Sequence, residues 1–138
     1  MMNGVITTNN AGGILGYGGS QGVSIYILNC YNKGIITSLH GKTAGILGYT
    51  FANNVIIKNV YTTQTANIDG GKYSGTILIE NGIVINNGIY STDYMKSMDF
   101  INELNNYIKI NLSQMQECCQ WKQDNKNINE GYPIFEWQ

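Results

Sequence analysis

A repeated segment is the feature that most constrains the fold of this 138-residue chain. The pentapeptide Gly-Ile-Leu-Gly-Tyr occurs at residues 13–17 and again at 45–49. Asn-Cys-Tyr at 29–31 likewise corresponds to Asn-Val-Tyr at 59–61, so the copies lie about 30 residues apart. Tandem repeats of roughly 20 to 50 residues are typical of stacked architectures, because one copy buries its apolar face only against the next. The sequence therefore predicts an array of stacked copies.

A third, weaker copy follows the two clear ones. Residues 74–77 (Ser-Gly-Thr-Ile) align with 44–47 (Ala-Gly-Ile-Leu), and residues 88–90 (Gly-Ile-Tyr) align with 59–61. The first residues of the chain also match the middle of a repeat. We therefore expect upstream repeats of a longer chain to be the neighbours of this array, and a complete short protein is the alternative.

Each copy is expected to contain three short strands. In the second copy they are predicted at residues 34–38, 43–49 and 55–61, which are rich in β-branched and aromatic residues and bounded by Gly, Asn or Ser. Three such runs with their turns form one coil, and successive coils pair as parallel strands about 4.8 Å apart. The prediction is an all-β solenoid over residues 1–92, a parallel β-helix of about three coils.

Asparagine is predicted to bend the chain at the third turn of each copy. Left-handed backbone at Asn29 and Asn59, with Gly88 in the third copy, suits the residue types that reach positive φ at the least cost. Stacked asparagine side chains can also form hydrogen bonds along a column. After the bend we expect Cys30 to be buried as a small hydrophobe, whereas Lys58 before the bend is expected to point to water.

The last part of the chain, residues 93–138, has a different pattern. Apolar residues recur at spacings of three and four from residue 93 to 107, which predicts an amphipathic helix capped by Thr92 or Ser97. These residues are Met95, Met98, Phe100, Ile101, Leu104 and Ile108. With the tail that carries Trp121 and Trp137, this helix is predicted to form a C-terminal cap over the open end of the array. A separate binding domain is the alternative.

Together these motifs resemble a known bacterial repeat family. GGILGY, LNCYNKGIIT, AGILGY and KNVYTT are similar to the GLUG repeat of bacterial surface and secreted proteins, including accessory regions of IgA-protease-like proteins. The ending, with Tyr94, Trp121 and Asn-Glu-Gly-Tyr-Pro-Ile at residues 129–134, resembles the unit that often follows such arrays. The resemblance implies an extracellular or cell-surface location, with a host protein, a cell-surface protein or a glycan as partner.

Charge and hydropathy argue against two classes of partner. The net charge is −1 and the sequence contains no arginine, so the chain lacks the basic footprint of a nucleic-acid-binding protein. No apolar run approaches the roughly 20 residues that a membrane-spanning helix needs. No signal-peptide pattern occurs in these residues either. We therefore expect neither a nucleic acid partner nor a membrane span.

Catalytic and metal sites are also not expected. Lyases and hydrolases built on parallel β-helices need clustered carboxylates, yet residues 1–92 contain only Asp69 and Glu80. His40 is the only histidine, so a zinc-peptidase motif lacks its second ligand. Cys118 and Cys119 have no further Cys or His cluster to complete a metal site, and the odd total of three cysteines argues against a disulfide framework. The prediction is a chain without enzyme activity, cofactor or metal.

Tyrosine columns are the best candidates for a binding surface. Tyr31, Tyr61 and Tyr90 are predicted to stack in one column, and Tyr17 and Tyr49 in another. An exposed aromatic ladder can bind sugar rings or a partner protein. The structural alternative is that stacked like residues only stabilise the sheet.

Two functions remain open at this point. The first is a non-catalytic structural or binding repeat module of an exported bacterial cell-surface protein, serving as a stalk or an adhesion surface. The second is an accessory domain of a secreted peptidase or polysaccharide-degrading enzyme whose catalytic domain lies outside these residues.

Overall fold

Short parallel strands dominate the first part of the computed structural model, which describes residues 6–8, 10–38, 41–63, 67–84 and 90–138. The chain divides into two compact units, Met1–Ile85 and Asn86–Gln138. In the described residues the first unit contains strands and turns, and the second contains helices and one short strand pair. A mostly β chain with a short helical C-terminal region was predicted, and this prediction is confirmed.

The first unit contains ten strands within the described residues. They are β1 (Ile6–Thr8), β2 (Ala11–Gly12), β3 (Leu15–Gly18), β4 (Ser24–Leu28), β5 (Tyr31–Asn32), β6 (Ile36–Ser38), β7 (Thr43–Ala44), β8 (Leu47–Thr50), β9 (Asn54–Thr62) and β10 (Thr76–Val84). Most are short because glycine and asparagine turns interrupt them.

Each strand of the first copy pairs in parallel with its counterpart in the second. The pairs are β1 with β6, β2 with β7, β3 with β8, and both β4 and β5 with β9. Tyr17 lies opposite Tyr49 and Ile27 lies opposite Ile57, as the repeat alignment requires. The largest sheet has the order β10-β9-β4. The predicted parallel pairing of successive copies is therefore confirmed for the first two copies.

The third copy is shorter than the sequence alignment predicted. β10 pairs with β9 so that Thr76 lies opposite Asn54 and Ile77 lies opposite Val55. The offset is 22 residues, as the hydrogen bond between Asn81 and Asn59 also shows. The predicted alignment of residues 74–77 with 44–47 is therefore wrong. The actual register also matches the side-chain alternation, since Ile77 and Ile79 lie opposite the inward-facing Val55 and Ile57.

The interior of the first unit is lined by aliphatic side chains from all three copies. Its members are Ile27, Ile46, Leu47, Ala52, Val55, Ile57, Val60 and Ile68, with Ile77 and Val84 packed against them. Val55 and Ile57 point inward as their alternation predicts. Each fully buried Val, Leu or Ile contributes about 1.5 to 3 kcal/mol, so this interior is the main source of stability in the unit.

The asparagine bends occur where the sequence predicts them in the first two copies. Asn29, Asn59 and Asn81 have φ values of 51°, 53° and 51°. The Asn59 side-chain amide donates to Asn29 Oδ1 at 2.8 Å, and the Asn81 amide donates to Asn59 Oδ1 at 2.7 Å. Asn81 thus takes the place predicted for Gly88, which lies outside the described residues. We call Asn29, Asn59 and Asn81 the asparagine ladder.

Lys58 was expected to point to water, and this expectation is wrong. Its side chain is buried, and Nζ lies 3.0 Å from Oε2 of Glu80 on the adjacent strand. The two residues are directly opposite each other in the register. A buried ammonium group is tolerated when an opposite charge compensates it. The sequence alignment misplaced Glu80, so this compensating charge was not anticipated.

The second unit contains three helices in the described residues, α1 (Thr92–Met95), α2 (Met98–Ile110) and α3 (Leu112–Met115). A single helix was predicted, but Ser97 adopts an extended conformation and separates α1 from α2. Its Oγ accepts a hydrogen bond from the Phe100 N–H at 3.3 Å, which confirms the predicted cap. Ser91 caps α1, so the alternative cap at Thr92 is wrong.

The buried face of these helices matches the predicted apolar stripe with one exception. Met95, Phe100, Ile101, Leu104 and Ile108 are buried. Met98 is exposed, because it is the first residue of α2 rather than part of a continuous helix. The predicted role of this unit as a cap stays a prediction.

The tail of the second unit is held by a loop and a two-stranded antiparallel sheet. β11 (Trp121–Lys122) pairs with β12 (Ile134–Phe135). The Asp124 carboxylate accepts hydrogen bonds from the backbone N–H groups of Ile128, Asn129 and Gly131 at 2.8, 2.6 and 3.1 Å. These bonds satisfy the buried carboxylate and fix the loop between the two strands.

We predict that Asn59→Val destabilises the protein more than Asn59→Gly does. Both changes remove the two side-chain hydrogen bonds of the ladder, but only valine resists positive φ, at a cost of about 1 to 3 kcal/mol. Urea denaturation followed by circular dichroism measures the difference in free energy of unfolding. Equal midpoints for the two variants would contradict the left-handed bend.

Candidate binding surface

The first predicted tyrosine column is buried. Tyr31 and Tyr61 stack with ring centroids 5.2 Å apart and an interplanar angle of 9°. Both side chains are almost fully excluded from solvent. The ring pair therefore stabilises the stacking of the first two copies, by roughly 0.2 to 1 kcal/mol, and is not available to a ligand.

Tyr90 does not extend this column, so its predicted place is wrong. Ile83 lies opposite Tyr61, because the third copy is displaced by 22 rather than about 30 residues. Tyr90 belongs to the second unit, where its hydroxyl donates to Glu103 Oε1 at 2.7 Å. Burial and this hydrogen bond raise the pKa of Tyr90, so its phenol stays protonated as a donor.

The second predicted column is exposed and larger than expected. Tyr17 and Tyr49 stack with centroids 6.3 Å apart at 18°. Phe51 meets both rings edge-on at 5.6 and 5.8 Å, and Tyr73 stacks on Phe51 at 4.9 Å. We call Tyr17, Tyr49, Phe51 and Tyr73 the aromatic surface. Tyr17 is 55% exposed and Tyr73 is 66% exposed, so this group faces solvent.

Backbone pairing between copies positions these rings. The Phe51 N–H donates to the Gly18 carbonyl at 3.2 Å, and the Tyr73 N–H donates to the Thr50 carbonyl at 2.9 Å. A parallel bridge between Thr50 and Lys72 holds the third copy against the second at the same place. The aromatic surface therefore draws one or two rings from each of three successive copies.

Sequence reasoning identified Tyr17 and Tyr49 but missed Phe51 and Tyr73. Phe51 and Tyr73 lie 22 residues apart in the sequence, which is the same offset that places Asn81 opposite Asn59. That offset could have been read from residues 77–81 (Ile-Leu-Ile-Glu-Asn), which match residues 55–59 (Val-Ile-Ile-Lys-Asn) in type. Ser-Gly-Thr-Ile at residues 74–77 supports a competing alignment at the longer offset, which masks this match.

Aromatic rings of this kind combine an apolar body with a polar tip. Ring faces and edges contact the apolar C–H groups of a ligand, while the tyrosine hydroxyls donate and accept hydrogen bonds. Such surfaces suit ligands that alternate apolar and hydroxyl-bearing groups, as sugar rings do. They also suit protein partners, where tyrosine is enriched at interfaces.

The two carboxylates of the first unit have different neighbours. Glu80 pairs with Lys58, whereas Asp69 lies opposite Leu47 in an isolated bridge. Within the part of the chain that the structure describes, no group of three or more His, Cys, Asp or Glu side chains could hold a metal ion. His40 lies outside that part. None of the described helices has the length and hydropathy needed to cross a membrane.

The three cysteines all lie in the described residues and none forms a disulfide bond. Cys30 was expected to be buried; it is half-buried, packs against the interior, and its thiol donates to the Leu28 carbonyl at 3.0 Å. Cys118 is half-buried and Cys119 is exposed. Burial, assisted by Cys119 and Glu117, raises the pKa of Cys118 and so lowers its thiolate fraction.

Thiol reactivity provides a test of these environments. We predict that iodoacetamide labels Cys119 first in the native protein, and that Cys30 and Cys118 react more slowly because both are half-buried. Raising the pH through the elevated pKa of Cys118 should accelerate its labelling. Peptide mass spectrometry of native and urea-denatured samples gives the three rates, and equal rates for Cys30 in both samples would show that its side chain has been misplaced.

Comparison of the chain with models of protein families, with curated proteins and with solved structures finds no significant match. The resemblance to the GLUG repeat therefore depends on the motifs of the sequence.

Proposed function

We propose that residues 1–92 form a parallel β-helix of about three coils that acts as a non-catalytic binding module of an exported bacterial surface protein of the GLUG-repeat type. Each copy would supply one coil, and the parallel register would join coil to coil. The shared interior and the asparagine ladder support this architecture, because both run through all three copies. The extracellular location follows from the motif resemblance.

The observation that carries the binding function is the aromatic surface. A stalk needs only the stacked interior, to which each exposed ring pair adds no more than roughly 0.2 to 1 kcal/mol. Contiguous exposed apolar groups on a soluble protein commonly mark an interaction site. Here Tyr17 and Tyr73 are mostly exposed while they remain in ring contact with their neighbours, so the group is both accessible and held in place.

A glycan is the ligand that this surface fits best. Rings from three copies lie along the direction in which the copies stack, so the surface is extended rather than a closed pocket. An extended polymer with repeating ring faces can contact several of these rings at once. Tyrosine hydroxyls at the same surface would then bond the sugar hydroxyls.

We predict that the triple variant Tyr17→Ala, Tyr49→Ala, Tyr73→Ala loses binding to immobilised neutral hexose oligosaccharides. Truncation of a hot-spot residue, a class enriched in tyrosine, costs about 2 kcal/mol or more, and about 1.4 kcal/mol corresponds to a tenfold change in affinity. The expected loss is therefore at least roughly tenfold. Surface plasmon resonance on a panel of such oligosaccharides measures it.

The matched control is Tyr26→Ala. Tyr26 is an exposed tyrosine of β4 outside the aromatic surface, and its removal should leave binding unchanged. Circular dichroism must show that both variants keep the wild-type spectrum. Equal affinity of the wild type and the folded triple variant, on every oligosaccharide bound, would contradict this function.

A second prediction concerns turnover. The isolated chain should bind oligosaccharides without cleaving them, because residues 1–92 contain only Asp69 and Glu80 as carboxylates and Glu80 is paired with Lys58. Chromatography of the oligosaccharides after prolonged incubation should recover them intact. Release of shorter products that is abolished by Asp69→Asn or Glu80→Gln would overturn the non-catalytic assignment.

A further inference from the structure

The first copy leaves apolar side chains uncovered that the second copy buries. Ile14 is 46% exposed, whereas Ile46 at the same repeat position is fully buried. Leu15 is half-buried, whereas Leu47 opposite it is fully buried. Stacking against another copy is what buries these positions in the second copy. On the outer side of the first copy, the described residues therefore leave Ile14 and Leu15 partly exposed.

The third copy shows a similar difference on its own side. Ile79 is 36% exposed, whereas Ile57 opposite it in β9 is fully buried. Leu78, which lies opposite Ile56, is also exposed. The described first unit thus has exposed apolar side chains on β10, at one end of the sheet order β10-β9-β4, and others on the first copy, at the end that includes β4.

The asparagine ladder gives these two ends opposite polarity. In both of its bonds the amide nitrogen of one copy donates to the amide oxygen of the copy before it. An asparagine placed beyond Asn81 would therefore donate to Asn81 Oδ1. A side-chain amide nitrogen carries two N–H groups, so Asn29 of a further copy can make that bond alongside others.

We propose that two copies of this chain associate head to tail, with β10 of one copy paired in parallel with β4 of the next. The register would place Thr76 opposite Ser24, Ile77 opposite Ile25 and Leu78 opposite Tyr26. It is the register that β4 and β10 each form with β9. This association is independent of glycan binding and goes beyond the proposed function.

The polarity of the ladder favours a second copy in this orientation over a two-fold symmetric dimer. A symmetric contact through β4 would pair it antiparallel with itself and bring two donor ends of the ladder together. Head-to-tail contact keeps the strands parallel and joins a donor end to an acceptor end. Such a contact is heterologous, so it continues into oligomers larger than dimers unless it closes into a ring.

The double variant Ser24→Cys, Thr76→Cys tests this register. The double variant is made in a protein from which the three native cysteines have been removed by Cys30→Val, Cys118→Ser and Cys119→Ser. Valine is chosen for Cys30 because Val60 occupies the equivalent position in the second copy. Within one chain the two new cysteines flank β9 and lie two strand spacings apart, about 9.6 Å, which is too far for a disulfide. Across the proposed contact they lie one spacing apart, about 4.8 Å, which permits one.

Mild oxidation should convert the double variant into a ladder of disulfide-linked dimers, trimers and larger species on a non-reducing gel. Each single variant, Ser24→Cys or Thr76→Cys, can form at most a dimer. A double variant that stays monomeric, or that stops at dimers like the single variants, overturns the proposal. The head-to-tail association requires an open edge on β10 and so competes with the prediction that the C-terminal unit caps this end of the array. If that unit covers the edge of β10, the monomeric outcome results.

A second measurement needs no cysteine. The mass of the wild-type chain from light scattering should rise with protein concentration, and Leu78→Glu should suppress the rise at least several-fold without lowering the melting temperature. Met98→Glu is the matched control, because Met98 is an exposed apolar residue of the second unit. A wild-type mass that stays that of the monomer at every concentration contradicts the association.

Discussion

The hydrogen bond between asparagine side chains of successive copies is the interaction that fixes the register of the first unit. Asn59 is fully buried, and both its amide nitrogen and its amide oxygen bond to the equivalent residues of the neighbouring copies. A buried amide left without partners costs about 1 to 3 kcal/mol. A shift in register by one residue would incur that cost and turn the inward aliphatic side chains outward. The ladder and the interior therefore select the same pairing.

Several features of the surface follow from that pairing. Glu80 neutralises the buried Lys58 only because the third copy is displaced by 22 residues. The same displacement puts Tyr73 beside Phe51 and completes the aromatic surface. The positive φ at the bend also turns the chain so that Tyr61, two residues later, faces the interior. The register of the copies thus determines which tyrosines are buried in the stack and which are exposed to a ligand.

The sequence predicted most of the first two copies because the pentapeptide and the asparagine triplet are nearly identical in both. The predicted alignment of the third copy was wrong. It was based on a short match around Gly75, whereas the correct alignment is indicated by the alternation of Ile77 and Ile79 and by Asn81. The burial of Tyr31 and Tyr61 could not be predicted, since the positive φ at Asn29 and Asn59 interrupts the alternation between the two faces of a strand. The burial of Lys58 could not be predicted either, because Glu80 lies opposite it only in the correct register of the third copy.

The most direct test of this account is a nuclear Overhauser experiment on isotopically labelled protein. The account predicts backbone contacts between Ile77 and Val55 and side-chain amide contacts between Asn81 and Asn59, as expected for parallel strands about 4.8 Å apart. Contacts of Ile77 with Leu47, together with contacts of Gly88 with Asn59, would instead show a third copy about 30 residues long. That result would contradict the register on which the interior, the buried ion pair and the aromatic surface all depend.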